Sequence, residues 1–433
     1  MSFLKILGFD PQKHSVRTEI VAGITTFLTM AYILAVNPDI FGALEGMGMP
    51  KGAVFTATAL AAVVGTLFMA LYAKKPYALA PGLGLNAFFV YTVCLTMGYS
   101  WQFALTAVLI EGIIFIILTV TNVREAIINA IPKAMKSAVS AGIGLFIAFI
   151  GLVNAGIIVD DGGTIITLGT ITGGTALLAI IGLVITSVMM ILKVPGAMLI
   201  GIIVTAIIGI PFGITKFDGV VSSVPSIAPI FCKFEWSNIL SVNMVIVVFT
   251  FLFIDMFDTI GTVIGVSKKA NAMNADGTIP GVKRVLMADA VATVAGACFG
   301  TSTTTTYVES ASGVAEGGRT GLTSFTAAIC FAIALFFAPV FLAIPSAATA
   351  PALIIVGVMM MSSILDVDFN DFSESIPAYI CMIMMPLAYS ISDGIMLGMI
   401  AYVVLNALTG KFKKISIMMW ILALLFILRY CLL

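Results

Sequence analysis

The sequence predicts an all-α polytopic membrane protein of about 14 transmembrane helices in two inverted 7-helix repeats, with the third and tenth spans broken. Three observations predict it. The composition is apolar and poor in charge, the basic residues that flank the apolar segments separate onto one side of the bilayer, and Pro, Gly and Thr interrupt the pattern at matching places in two halves. Of 433 residues, 61% are hydrophobic and 10% charged, with a mean hydropathy of +1.16. A soluble chain carries about 25% charged residues, so the solvent here is lipid. The formal net charge is zero, which gives nucleic acid no electrostatic footprint. Five cysteines (Cys94, Cys298, Cys330, Cys381, Cys431) lie in apolar stretches and Cys232 in a polar-flanked loop, a pattern that favours packing over a disulfide framework. The first seventeen residues hold Lys5, Lys13 and Arg17 without an apolar core long enough for a cleavable signal peptide. The first span is therefore expected to serve as the insertion signal.

A crossing helix needs about 20 apolar residues, and segments fit near 18–38, 52–73, 77–97, 101–121, 134–158, 172–192, 194–213, 241–266, 283–300, 304–316, 320–343, 346–364, 375–392 and 394–410. Short cytoplasmic loops collect Lys and Arg. With the N-terminus inside, Lys5, Lys13, Arg17, Lys74, Lys75, Arg124, Lys133, Lys136, Lys193, Lys268, Lys269, Lys283, Arg284, Arg319, Lys411, Lys413 and Lys414 are cytoplasmic, which is 17 of the 21 basic residues. Lys51, Lys216 and Lys233 fall outside, and Arg429 is unassigned. A miscounted helix would scramble this separation. Residues 415–431 are also long enough to cross, yet they follow three lysines closely and fit an interfacial helix equally well.

The chain divides at the linker 214–240, which holds Lys216, Asp218, Pro225, Lys233 and Glu235. The first repeat is 1–213 and the second 241–433. Thr26-Phe27-Leu28 matches Thr250-Phe251-Leu252, the residues Ala59, Ala61, Val63, Gly65 and Phe68 match Ala290, Ala292, Val294, Gly296 and Phe299, and Ala130-Ile131-Pro132 matches Ala343-Ile344-Pro345. The matches come in chain order. Seven spans per half make the repeats inverted, the arrangement of secondary transporters, which bind at the midplane between discontinuous helices. The interruptions are Pro81-Gly82-Leu83-Gly84-Leu85-Asn86 in the third span and Gly300-Thr301-Ser302-Thr303-Thr304-Thr305-Thr306-Tyr307 in the tenth. Such backbone belongs in the hydrocarbon region only where protein encloses it. Each break is expected to enter extended and then start a half-helix, leaving backbone groups at Gly82, Gly84, Thr306, Tyr307 and Val308 to face a polar ligand; a bland alternative is that Thr hydroxyls merely satisfy a kink.

A carboxylate inside a membrane helix is costly and marks function by default. Asp255 and Asp258, three apart in the eighth span, share a face with Thr259 and Thr262 nearby. Two acids in a low-dielectric setting cannot both ionise cheaply, so this pair is the candidate for proton coupling. Glu309 follows the Thr run and fits either a base-reading carboxylate or a helix cap. Asn86, just after the glycine turn, offers both a donor and an acceptor. Asp289 and Glu111 are also intramembrane and read as packing or supporting groups. His14, the lone histidine, lies in the N-terminal segment and is excluded as the proton relay. Asp160-Asp161 and the acids from Asp366 to Glu374 read as solvated loop.

At these residues the sequence resembles the AzgA-like purine permeases of the nucleobase:cation symporter 2 superfamily. The resemblance runs over nearly the whole chain. It is carried by Gly8-Phe9-Asp10-Pro11 with Thr18 through Ile33, the Pro81–Asn86 turn, the Asp255–Thr262 segment, and Gly300 through Leu322. It implies proton-driven uptake of adenine, guanine and hypoxanthine, with short strands before the half-helices of the third and tenth spans. It also implies a core domain (about 18–121 and 241–343) and a gate domain (about 122–213 and 344–433). The family's purine-site residues fall on Asn86, Asp255, Asp258 and Glu309. The implied partners are a purine nucleobase, a proton or sodium ion, the lipid bilayer and a second copy in a homodimer, with no cofactor or metal and no nucleic acid. Localisation is a cell (inner or plasma) membrane. An anion carrier on the same fold is the alternative, disfavoured by the three acids; a membrane-embedded enzyme would need a nucleophile–base pair or metal cluster that the spans do not offer.

Overall fold

The computed structural model describes residues 2–121, 132–217, 219–270, 272 and 279–432. Arg124, Asp218 and the Ala130-Ile131 part of one repeat match lie outside the described residues, as do the side chains of Lys268, Lys269 and Arg429.

The chain is helical nearly throughout. A short helix α1 (Ser2–Ile6) precedes α2 (Val16–Met30), α3 (Ile33–Phe41) and α4 (Lys51–Phe68). Strand β1 (Leu79–Pro81) leads into α5 (Leu83–Ala87), which continues as wide π-helical turns over Phe88–Thr96, and α6 (Trp101–Thr121) follows. Next come α7 (Lys133–Asn154), the hairpin strands β2 (Ile158–Asp161) and β3 (Ile165–Leu168), α8 (Gly174–Ile191) and α9 (Ala197–Gly209). Beyond the linker lie α10 (Val242–Lys269), α11 (Val282–Phe299), β4 (Thr304–Thr306), α12 (Ser310–Ala315) and α13 (Gly321–Ala334). The chain ends with α14 (Ala338–Leu342), α15 (Ser346–Met361), α16 (Phe372–Leu387), α17 (Ile391–Leu408) and α18 (Ile417–Leu432). Among the described residues, eight helical stretches are long and apolar enough to cross a membrane, and five shorter apolar helices include Leu83–Thr96, Ala197–Gly209 and Phe372–Leu387. Only 28% of the apolar window is buried in Gly174–Ile191 and in Gly321–Leu342. Their remaining apolar surface, Val184 and Ile333 among it, needs lipid to cover it.

One group of helices surrounds the paired strands β1 and β4: α11 packs on α4 and α6, and α13 on α2 and α4. A second group is built on α15, which crosses α7, α8 and α9, with α16 against α7 and α17. Without a hydrophobic drive between helices in lipid, close backbone approach holds such contacts. Gly144 and Gly357 supply it at the α7–α15 crossing, where a Cβ on either would sit 2.7 or 2.5 Å from the other's carbonyl oxygen. Both helices begin directly after proline, Pro132 and Pro345, whose missing N–H costs nothing at a helix start.

Several boundaries differ from expectation: the segment drawn to 392 ends at Leu387, and α17 starts at Ile391, ahead of 394. The segment drawn as helix to 158 ends at Asn154, and Gly156 (φ +73°) turns the chain into the β2–β3 hairpin that contains Asp160 and Asp161. The Asp161 carboxylate accepts from the N–H groups of Thr164 and Gly163, both at 2.8 Å, and these bonds hold its pKa below the usual carboxylate range. Apolarity runs past the helix end because Ile157 leads into the strand and Ile158 and Val159 belong to it.

Candidate functional site

The site is built from the two helix breaks. β1 and β4 pair antiparallel, Leu79 opposite Thr306 and Pro81 opposite Thr304, and the ribbon is lengthened by Gly82 N–H to Thr303 O and Tyr307 N–H to Ala78 O, both 3.0 Å. A two-stranded ribbon has two unpaired edges, and buried backbone groups need partners. Side chains provide them. Thr66 serves the β1 edge, accepting from the Leu79 N–H and donating to the Leu79 carbonyl. On the β4 edge, Thr293 donates to the Thr304 carbonyl and Asp289 Oδ1 accepts from the Thr306 N–H (2.9 Å) and hydroxyl (3.1 Å). Glu111 Oε2 accepts from the Thr303 hydroxyl at 2.5 Å. Asp289 and Glu111, read from sequence as supporting groups, thus hold the break at β4.

Each strand then turns into a half-helix. α5 starts after Gly82 and α12 after Glu309, and Tyr307 Oη donates to the Pro81 carbonyl (2.6 Å) across the gap. The glycines matter sterically here. A Cβ on Gly82 would meet Thr305 Cγ2 at 2.9 Å and stand 3.7 Å from Asp258 Oδ2; one on Gly84 would meet Ile143 of α7 at 2.7 Å.

Between the breaks lies a cavity of about 80 Å³, faced by Tyr32, Gly82, Gly84, Asp258, Thr262 and the run Thr306–Glu309, with Ile143, Val356 and Met360 of the second helix group on its other side. Asp258 and Glu309 present the carboxylates. Tyr32 Oη donates to Glu309 Oε1 at 2.7 Å, fixing one oxygen of that carboxylate. Tyr32 sits where the first span breaks between α2 and α3; its sequence signal was a polar-tipped aromatic beside that interruption, which charge counting passes over.

The structure places the other two predicted residues behind the cavity wall. Asp255 is fully buried, and its Oδ1 accepts from Thr259, whose hydroxyl also lies 2.9 Å from Asp289 Oδ2 and 2.7 Å from Thr305 Oγ1. Asn86 is likewise buried; its Oδ1 accepts from Ser302 and its Nδ2 donates to the Pro81 carbonyl. Asp255 and Asn86 therefore join the network behind the breaks, while Asp258 and Glu309 face the space. Three positions apart puts Asp255 and Asp258 on one general face but about 60° apart around the axis, enough to point one into the cavity and one into the wall. The backbone positions Gly82, Gly84, Thr306, Tyr307 and Val308 all line the cavity.

Two further cavities share its wall. One of about 250 Å³ adds Ser140, Ser362 and Ser363, and one of about 600 Å³ adds Thr25, Lys193 and Glu316. The site thus opens toward the end of the bundle that carries Lys193 and Glu316. Toward the other end it is sealed. Tyr389 packs edge-on against Tyr91, Phe146 and Phe149 with ring centroids 5.6–5.8 Å apart. Beyond the rings, Asp39 accepts from Ser346 and Thr349, both at 2.7 Å.

Residues 17–397 match the family model Xan_ur_permease, described as a permease family. The chain belongs to this permease family. The permease is 46% identical over 432 residues to the guanine/hypoxanthine permease PbuG of Bacillus subtilis, covering 98% of each chain. It is 41% identical over 415 residues to the adenine permease AdeQ of Escherichia coli, covering 96% of this chain and 93% of that one. Among solved structures, the transmembrane domain of the cyanobacterial bicarbonate transporter BicA shares the fold, with a TM-score of 0.62 at 18% identity over 89% of this permease and 97% of that chain.

Proposed function

We propose that the chain imports purine nucleobases, among adenine, guanine and hypoxanthine, by proton-coupled alternating access. The carrying observation is the pair of carboxylates, Asp258 and Glu309, facing one cavity between two paired helix breaks. A purine offers N–H donors and ring-nitrogen acceptors on one planar edge. Glu309, with one oxygen held by Tyr32, accepts from the N–H edge; Asp258, when protonated, donates to a ring nitrogen and carries the coupled proton, with Asp255 and Asn86 fixing the breaks behind it. The names of the relatives support the substrate class. An anion would be repelled by the same carboxylates, so the likeness to a bicarbonate transporter bears on fold alone.

The reading includes fourteen crossings in two inverted repeats, with the first helix group as core, the second as gate, and the N-terminus cytoplasmic. Its support is that matched positions do matched work. Gly65 and Gly296 both abut the paired strands, where an added Cβ would lie 3.5 and 2.5 Å from Thr304, and Pro132 and Pro345 start the two crossing gate helices. In this orientation the cavity is open to the cytoplasm. Uptake of labelled hypoxanthine into proteoliposomes, in competition with each purine, at two pH values and with or without sodium, tests the proposal. Uptake that tracks the proton gradient and is competed by purines is expected; uptake indifferent to pH but dependent on sodium removes the proton, and no purine competition removes the substrate.

A further inference from the structure

The C-terminal helix α18 begins and ends at opposite ends of α17. At its start, Lys411 and Lys414 pair with Asp371 at 3.1 and 2.8 Å, and Lys414 with Glu374 at 2.9 Å; Asp371 caps the first turn of α16, so this is the end where α16 begins and α17 finishes. At its finish, Tyr430 Oη donates to Asp393 Oδ1 at 2.8 Å, and Asp393 lies in the first turn of α17. The two helices therefore run antiparallel over their full length. Sixteen residues span about 24 Å and the eighteen of α17 about 27 Å.

The side-chain pattern identifies what surrounds α18. Met419, Leu422, Ala423 and Phe426 are buried, the ring of Phe426 against Phe249 of α10 at 5.9 Å. The opposite face, Ile417, Ile421, Leu424, Leu425 and Leu428, is exposed and entirely apolar. No charged side chain occurs from Ile417 to Leu428, and the only polar group among their side chains is the Trp420 indole N–H. A helix lying in the interface needs a charged or polar outer face, and α18 has none. Trp420 and Tyr430 stand near its two ends, where aromatic rings anchor to the headgroups.

We infer that α18 is an additional membrane crossing, one face sealed on α17 and α10 and the other bound by lipid acyl chains, so that the C-terminus lies on the opposite side of the bilayer from Lys413. With the fourteen crossings proposed above, the count becomes odd and the two termini lie on opposite sides. The test places single cysteines, in a full-length background with the six native cysteines changed to serine, at Lys413→Cys, at Ser2→Cys and after Leu433 through a short Gly-Ser extension. Intact cells are labelled with a membrane-impermeant maleimide before and after permeabilisation. Opposite accessibility of Lys413→Cys and the appended cysteine is expected; equal accessibility overturns the crossing. Ser2→Cys and Lys413→Cys should behave alike, and if they differ the fourteen-crossing count fails while the result for α18 stands. Should the cysteine-free background not accumulate, epitopes on both termini of the natural chain serve instead. Protease should then remove one epitope from right-side-out vesicles and the other from inverted ones, and loss of both from the same vesicles overturns the inference.

Discussion

At the scale of single residues, Glu309 and Asp258 share a cavity but are proposed to do different things, and substitution separates them. Glu309→Gln replaces an acceptor with a group that also donates, and a hydrogen bond involving a charged group contributes about 1.5–3 kcal/mol. Hypoxanthine uptake by reconstituted protein is expected to fall from about tenfold to beyond detection; full retention would remove Glu309 from the site. Tyr32→Phe deletes the 2.7 Å bond that fixes one Glu309 oxygen while keeping the ring. The apparent affinity for purine should drop about tenfold with the maximal rate less affected, and an unchanged affinity by isothermal titration would show that Glu309 needs no such orientation.

Elements are held here by side chains acting as substitutes for missing strands. Asp289 takes two bonds from Thr306 at the β4 edge, and Asp289→Ala would leave a buried backbone N–H without its acceptor, at about 1–3 kcal/mol. Thermal melting in detergent should fall by roughly 2–6 °C, less for Asp289→Asn, which keeps one acceptor; coincident melting curves would refute the edge-capping role. A second test at this scale is steric. Gly84→Val would push a side chain into Ile143, 2.7 Å from the first added carbon, and should slow uptake, with Ile143→Ala restoring it. The loss of activity without rescue would place the fault in the half-helix itself and not at its contact with α7.

Across the whole molecule, closure on one side rests on few groups. Asp39 bridges the first helix group to α15 through Ser346 and Thr349, and Lys51 lies 3.8 Å away. Asp39→Ala should favour the state open on that side. A cysteine at Asn154, which now donates to the Tyr91 hydroxyl, would then react with impermeant maleimide about tenfold faster, since 1.4 kcal/mol shifts an equilibrium tenfold; an unaltered rate would move the closure to the aromatic cluster alone. At the other end, Lys414, with Ser373 and Lys411, holds the Asp371 carboxyl well below its usual range. The sign follows: this carboxylate stabilises the fold above the ordinary Asp pKa of about 3.9 and the contribution fades as pH falls below it. Asp371→Asn should accordingly flatten the acid side of a melting-versus-pH curve.

How much of this the sequence held can be seen residue by residue. Charge scarcity, the apolar helices and the two interruptions were legible because hydrocarbon leaves few options for a backbone: it must be helix, or it must be enclosed. Asp258 and Glu309 stand out as candidates for the same reason, since an acid in lipid is costly and marks function by default. Tyr32 was hidden because an aromatic residue in an apolar span is ordinary until its hydroxyl finds a carboxylate from 277 positions away. The division of Asp255 from Asp258 was hidden too, because helical spacing gives a shared face but not which side chain meets the cavity and which meets Thr259. The sequence by itself determined solvent, helix positions and the cost of each buried charge, all of which are local properties of the chain. Only the tertiary structure decided which carboxylates face the cavity, which end of it is sealed, and where α18 runs, because each depends on distant segments meeting, and no periodicity along the chain encodes those meetings.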